Sequence, residues 1–256
     1  SFPPLYSLHY RWHHQPVPWR KVLTAELPQP QPLASGVGRV ALLLRDPAQR
    51  ILSMHSHLWQ ETGGGKDPGM TKCCGIGTAW SHTGNSWGWD RTTRFAALNA
   101  TCGQNGDFSR SLGALLRALE ARSALHGCMT KMVLGRGCHE RRELGSADVA
   151  LASSALRSPA FFVGLSERYV ESVCYWHARF GGPVYHFEVA PEVLAASHRR
   201  HDESALAIAG FASVDSGFDG ELVRSAKAHF ADELAAHARE VRACAAAVGG
   251  ALHAQA

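Results

Sequence analysis

A short apolar run that ends at charged residues constrains this chain more than any other feature. Val40 to Leu44 are five consecutive apolar residues, which is typical of a strand buried on both faces of a sheet. Arg45, Asp46 and Pro47 follow, and an Asp-Pro pair favours a helix start with Asp46 as the N-cap. The pattern predicts a central strand, then a helix that begins at Pro47, with Arg45 at the carboxyl end of the strand.

Ser53 lies about two helical turns after Arg45. In α/β folds, ligands bind in the crevice at the carboxyl ends of the strands, so both side chains are expected to face that crevice. A guanidinium and a hydroxyl that converge there suit a phosphate group. The alternative is that Arg-Asp-Pro only starts a helix, and Arg50, one turn after Asp46, is expected to make a surface or supporting ion pair.

These residues resemble the sulfotransferases that use 3′-phosphoadenosine 5′-phosphosulfate, especially the Golgi heparan sulfate 6-O-sulfotransferase branch. That family's 3′-phosphate motif has an apolar strand, an Arg and a Ser eight residues later, as Arg45 and Ser53 do. The resemblance implies that Arg45 and Ser53 bind the 3′-phosphate of this cofactor. It also implies an α/β fold with a central parallel sheet flanked by helices, of the sulfotransferase or P-loop NTPase-like type.

A second segment, Phe161 to Glu167, resembles the family's buried Phe-Phe-Val-Gly-Leu-Thr-Glu strand at the matching distance. Ser166 is predicted to cap the helix that follows and to place Glu167 in its first turn. Val170, Val173, Cys174 and His177 are predicted to face the core on this helix, which ends at Phe180. The resemblance covers about Leu8 to Leu234.

Leu8-His9-Tyr10-Arg11-Trp12 resembles the Leu-His-x-x-Trp segment that carries the catalytic histidine in the 6-O-sulfotransferase branch. The resemblance implies that His9 is the base that takes the proton of an acceptor hydroxyl, for which imidazole has a suitable pKa. One alternative is an ordinary loop histidine. The other is a metal site with histidines elsewhere in the chain, namely His13, His14, His55 and His57, but no second ligand cluster supports it, and no metal is predicted.

The family's Pro-Lys-x-Gly-Thr loop, which binds the 5′-phosphosulfate, has no counterpart in this sequence. The nearest run, Gly63 to Lys66, follows the Arg-Asp-Pro helix and continues into Asp67, so it predicts a flexible loop. The expectation is a sulfotransferase-like domain without its first strand and phosphate loop. The alternative function is a non-catalytic remnant or truncated fragment that keeps a nucleotide or glycan contact, and the upstream coding sequence distinguishes the two.

Residues 60–106 read as a long loop rich in Gly, Ser, Thr and Trp. Trp87 is a candidate for stacking on an acceptor sugar, although the tryptophans of this region are equally consistent with pinning the loop to the core. Lys131, in a segment that resembles one beside the family's active site, is a candidate substrate contact, with a solvated lysine as the alternative. For Cys138, beside His139, a disulfide or a free thiol is favoured over zinc.

The remaining elements follow from periodicity. Apolar residues at helical spacing predict a helix from Asp107 or Ser109 to near Gly127, and a further helix is predicted over Ser146 to Leu156. Val184 to Val189 is predicted to be a strand. A closing helix is predicted from four apolar residues spaced four apart, which are Leu222, Ala226, Phe230 and Leu234.

Length and charge bound the function classes. A chain of 256 residues forms one domain by default, with an irregular segment over 1–37 and a tail over 248–256. A net charge of +4 and a pI near 8.7 suit an anionic cofactor and a carbohydrate acceptor, but they do not favour nucleic acid. No run is long and apolar enough to span a membrane, so an anchor is expected outside this sequence. With the Asn99-Ala100-Thr101 sequon, the resemblance implies a glycoprotein in the Golgi lumen.

Overall fold

The fold is described by a computed structural model. The residues that the structure describes are 40–61, 92–93, 96–97, 100, 108–122, 125–185, 188–189, 204–205 and 217–253. In chain order, the strands and longer helices are β1 (Val40–Leu44), α1 (Pro47–Glu61), α2 (Phe108–Glu120), α3 (Cys128–Val133), α4 (Ser146–Leu156), β2 (Phe161–Leu165), α5 (Tyr169–Phe180), α6 (Phe218–Ala236) and α7 (Ala238–His253).

The described part of the chain is mostly helical and contains a two-stranded parallel sheet, so the coarse α/β prediction is confirmed. β1 pairs with β2 in a register that sets Leu44 opposite Leu165. All five residues of β2 are buried, as expected for a strand covered on both faces. Two of the three predicted strands, β1 and β2, and the start of α1 at Pro47 lie where the sequence placed them.

Gly164 allows β1 and α5 to pack closely against β2. A Cβ at this position would lie 2.6 Å from Leu43 Cδ2 and 2.9 Å from Ser172 Cβ, so only glycine lets β1 and α5 approach this strand. Ser172 also accepts the N–H of Leu165 at 2.9 Å. The predicted N-cap at Ser166 is wrong, because Ser166 starts a short 3₁₀ turn that ends at Arg168 and makes no side-chain cap there.

The main core forms where α5 lies on β2. Phe162 stacks on Tyr175 with ring centroids 5.1 Å apart and meets the edge of Trp176 at 5.0 Å. Trp176 in turn contacts Phe180 at 4.4 Å. Burying each large aromatic side chain contributes about 1.5–3 kcal/mol. α6 packs against the same core through Leu222, Ala226 and Phe230, which confirms the periodic stripe of the closing helix.

A second core joins α1 to α2. The predicted leucine stripe of α2 is confirmed, since Leu112, Leu115, Leu116 and Leu119 are all at most 1% exposed. Ile51 and Leu52 of α1 belong to the same core. The predicted end of α2 near Gly127 is wrong because the helix ends at Glu120 and two turns, at 121–122 and 125–127, precede α3.

Three further boundaries differ from the predictions. Val184 and Tyr185 are not in a strand, and Glu188 lies in a turn closed by its own carboxylate, which accepts the N–H of Tyr185 at 2.9 Å. Residues 60–61 end α1, and 92–93, 96–97 and 100 are helical, so the loop predicted over 60–106 is interrupted; its other residues lie outside the described ones. α7 continues into the predicted tail as far as His253, because its alanine-rich sequence favours helix, and the last three residues lie outside the described ones.

None of the helices in the described part of the chain is long and apolar enough to cross a membrane.

Candidate functional site

The candidate site lies at the carboxyl ends of the two parallel strands. Because Leu44 is opposite Leu165, the residues that leave the sheet next are neighbours, with Arg45 and Asp46 after β1 and Ser166 and Glu167 after β2. In parallel sheets this edge is where ligands bind. We name Arg45, Asp46 and Glu167 the carboxyl-edge group.

Asp46 starts α1 as predicted. Its Oδ1 accepts the N–H of Ala48 at 3.0 Å and that of Gln49 at 3.3 Å, which satisfies two of the donors that a helix start leaves open. Its backbone carbonyl accepts the N–H of Arg50 at 2.8 Å. The carboxylate of Asp46 is therefore fixed by the helix that it caps.

Glu167 crosses from the other strand to the same helix start. Its Oε1 accepts the backbone N–H of Asp46 at 2.6 Å, over a sequence separation of 121 residues. The side chain of Glu167 is exposed, and this is the hydrogen bond found for its carboxylate among the described residues. The N–H of Asp46 is thus bound by a carboxylate from the turn after β2, while the side chain of Asp46 caps α1.

Arg45 is half-buried at this edge. Burial lowers the pKa of its guanidinium, and the negative charges of Glu167 and then Asp46 act in the opposite direction. A guanidinium remains charged under such conditions because its ordinary pKa is so high. The edge therefore places one cation beside two carboxylates and a helix start.

Ser53 is half-buried on α1, six residues after Pro47. A rise of about 1.5 Å per residue puts it roughly 9 Å along the helix from that position. Arg45 must therefore extend its side chain along α1 if one phosphate is to contact both residues. Their shared phosphate contact stays a prediction.

A second group of charges consists of Arg50, Lys131 and Asp219, and we name it the buried charge cluster; Lys131 and Asp219 are buried and Arg50 is half-buried. Asp219, 6% exposed at the start of α6, accepts the N–H of Met129 at 3.1 Å and that of Thr130 at 2.8 Å. It also accepts the Thr130 hydroxyl at 2.9 Å. Asp219 thereby fixes the first turn of α3 from another helix.

Lys131 points into the protein and is 4% exposed. Its Nζ donates to the carbonyls of Glu140 at 2.8 Å and Cys138 at 3.2 Å. Burial lowers the pKa of Lys131, while Asp219 and Glu140 raise it and Arg136 lowers it further. Lys131 is therefore not a solvated lysine, and that alternative is wrong. A substrate contact by Lys131 stays a prediction, and its ammonium already donates to two backbone carbonyls.

Among the described residues, Arg50 makes neither a surface ion pair nor a supporting one, contrary to the prediction. Its Nη2 lies 2.6 Å from Cys128 Sγ, and burial lowers the pKa of its guanidinium, opposed by the charge of Asp219. Arg50 instead faces α3 and α6 across the helix interface. Residues distant in sequence form that interface. Helical spacing alone gave no signal for it.

Two disulfides link described residues. Cys128 bonds to Cys138, which favours the disulfide reading of that cysteine over zinc, and Cys174 on α5 bonds to Cys244 on α7. Among the described residues, no three side chains of the His, Cys, Asp and Glu types are placed to hold a metal ion.

The other predicted site residues divide in two. His9 and Trp87 lie outside the described residues, as do His13, His14 and the side chain of His57. His55 is fully buried, with its Nε2 3.0 Å from Ser111 Oγ and its ring edge-on to Phe108. His55 therefore has a structural place between α1 and α2.

Sequence reasoning missed two polar groups near the carboxyl-terminal end of α5. His177 Nε2 lies 2.9 Å from Glu188 Oε2, in a pair that is 8% and 0% exposed. Arg179 donates to Tyr175 Oη at 2.9 Å, and that hydroxyl hydrogen-bonds to Glu233. Burial, and then the bond to Glu233, raise the pKa of Tyr175. Only the core-facing position of His177 was detectable in advance.

The chain matches no family model, no curated protein and no solved structure. What supports a function is therefore the geometry at the carboxyl edge together with the motifs of the sequence.

Proposed function

We propose that this protein is a sulfotransferase that transfers a sulfuryl group from 3′-phosphoadenosine 5′-phosphosulfate to a carbohydrate hydroxyl. The observation that carries the proposal is the position of Arg45. It follows β1 directly, at the carboxyl edge of a parallel pair, beside the capped start of α1. A half-buried guanidinium at such an edge suits a dianionic phosphate.

In this proposal each residue has a separate role. Arg45 binds the 3′-phosphate by charge-assisted hydrogen bonds, and the hydroxyl of Ser53 adds a weaker one. His9 accepts the proton of the acceptor hydroxyl as the sulfuryl group is transferred, and Trp87 contacts the sugar. Lys131 contacts the sugar only if its ammonium exchanges its two backbone carbonyl partners for sugar hydroxyls. The fold is of the sulfotransferase type, and β1 and β2 are its motif-bearing strands.

The same proposal places the protein in the Golgi lumen. Cys128–Cys138 and Cys174–Cys244 support this compartment, because disulfides persist where the environment is oxidising and are rare in the cytosol. The acceptor is a glycan, consistent with the mildly basic charge of the chain.

The decisive experiment measures cofactor binding. Arg45→Ala should weaken the binding of adenosine 3′,5′-bisphosphate by several-fold to a hundredfold, or about 1–3 kcal/mol, in isothermal titration calorimetry. Ser53→Ala should cost less. Arg242→Ala is the matched control, since it removes the same charge from an exposed position on α7. Equal affinities for the wild type and Arg45→Ala would refute the phosphate site.

Turnover distinguishes the enzyme from a non-catalytic remnant. His9→Ala should lower sulfuryl transfer to a glycan by about 10²–10⁴-fold and leave bisphosphate affinity near that of the wild type. His13→Ala and His14→Ala share the local composition and should be mild. A larger loss at either of these would place the base elsewhere, and a wild type that binds cofactor without any turnover would favour the remnant.

A further inference from the structure

The charge balance of the carboxyl-edge group is unusual for an anion site. Within this group Arg45 lies beside two carboxylates, those of Asp46 and Glu167, so the formal charge of the three side chains together is negative. A phosphate dianion that approaches Arg45 is repelled by both carboxylates, and this repulsion between like charges weakens binding. One carboxylate must therefore move away, or affinity remains low.

The two carboxylates differ in how firmly they are held. Asp46 caps α1 through Ala48 and Gln49, so its displacement would release two N–H donors of the helix start. Glu167 is exposed, and the bond found for it among the described residues goes to the N–H of Asp46. Glu167 is thus the carboxylate that can leave without opening a helix.

The backbone N–H that Glu167 binds is itself a donor suited to phosphate. The N–H of Asp46 directly precedes the first turn of α1, and a backbone N–H beside the positive end of a helix is a typical phosphate partner. Once Glu167 leaves, this N–H can donate to a phosphate that the guanidinium of Arg45 also contacts at the same edge. Exchange of one anionic acceptor for another keeps every donor satisfied.

We infer that Glu167 is a built-in anion that closes the empty site, and that a dianionic phosphate binds by displacing it from the N–H of Asp46. This inference rests on the proposed function, because it assigns regulation of affinity to the same phosphate site. Glu167 acts as a specificity-determining residue, since a ligand must carry enough negative charge to replace it. A monoanion or a neutral group gains too little from Arg45 to do so.

The test compares Glu167→Gln with the wild type by isothermal titration calorimetry at low and at physiological salt. The amide oxygen of glutamine still accepts the N–H of Asp46, so the variant keeps the contact and loses only the charge. We expect adenosine 3′,5′-bisphosphate to bind about 3–30-fold more tightly to Glu167→Gln, with the larger factor at low salt. Adenosine 5′-monophosphate, which lacks the 3′-phosphate, should gain less than twofold.

Glu171→Gln is the matched control. Glu171 is one turn further along, carries the same charge and is paired with Arg168, so its removal should leave bisphosphate affinity within twofold of the wild type. Circular dichroism and thermal unfolding of the three proteins verify that each is folded.

The outcomes separate the two claims. Wild-type binding that depends on Arg45, with no gain in Glu167→Gln, overturns the role of Glu167 and leaves the phosphate site standing. Binding by Glu167→Gln alone supports the role of Glu167 strongly, because removal of the internal anion then opens the site. Failure of both proteins to bind bisphosphate overturns both claims, and an equal gain in Glu171→Gln overturns the specific role of Glu167.

Discussion

The buried charge cluster and the carboxyl-edge group use the same device in opposite surroundings. In each, a carboxylate from a distant segment accepts a backbone N–H at the start of a helix, Asp219 for α3 and Glu167 for α1. Among the described residues, Asp219 is buried and accepts three donors, whereas Glu167 is exposed and accepts one. The difference teaches that burial turns such a contact into a fixed part of the fold, and exposure leaves it exchangeable for a ligand.

The largest effect that this comparison predicts is on stability at Asp219. Asp219→Ala should lower the free energy of unfolding by about 3–5 kcal/mol, because it leaves the donors of Met129 and Thr130 unmet and removes the negative charge that faces Arg50 and Lys131. Urea denaturation measures it, and Asp232→Ala, an exposed position on the same helix, is the control. A loss below 1 kcal/mol would remove the distinction between the two regions.

A smaller effect is expected at Lys131. Lys131→Met should cost about 1–3 kcal/mol at neutral pH, since the carbonyls of Cys138 and Glu140 lose their donor. Lys227→Met, exposed on α6, should change the free energy of unfolding by no more than ~0.5 kcal/mol.

The same variant tests the pKa of Lys131. Burial lowers the pKa of Lys131 in the folded state. At any pH between that lowered pKa and the ordinary value of 10.5, the unfolded chain therefore binds more protons than the folded protein does. Wild-type stability should therefore rise across this window relative to Lys131→Met, so that the cost of the substitution grows with pH. A cost that shrinks with pH would mean that the ammonium is stabilised in the fold, contrary to this prediction.

The smallest effect is expected at the exposed carboxylate. Glu167→Gln should change the free energy of unfolding by less than about 0.5 kcal/mol, as should Glu171→Gln, because surface charges contribute little to stability. Chemical denaturation at physiological salt measures both. A loss above 1.5 kcal/mol at Glu167 alone would place it with Asp219 among the fixed contacts and would weaken its role as a displaceable group.

The sequence predicted those parts of the fold whose signal is local. β1 and α4 have the predicted bounds, β2 lies within the predicted segment, and Asp46 caps α1, because apolar runs and capping residues act within a few positions. Lys131 and Arg50 were misjudged for the converse reason. Both side chains face Asp219, which lies about ninety residues further along the chain than α3. No rule of sequence spacing relates positions so far apart.

The site itself was predicted as far as it belongs to one segment. Arg45 and Asp46 were identified from the Arg-Asp-Pro pattern, and they lie at the carboxyl edge as expected. The contact between Asp46 and Glu167 was not predicted, although both residues belong to recognised motifs. Strand order and register bring the two motifs together, and neither can be read from either motif alone.

The parallel pairing of β1 and β2 also has a consequence for how the protein is made. Asp46 and Glu167 are 121 residues apart, so the carboxyl edge cannot assemble on the ribosome until the segment that carries Glu167 has emerged. Pairings of such long range form slowly, and until then β1 exposes its apolar side chains and unpaired backbone groups. Any shortened product that ends before Phe161 retains Arg45 but lacks the partner strand, and we expect it to aggregate during synthesis.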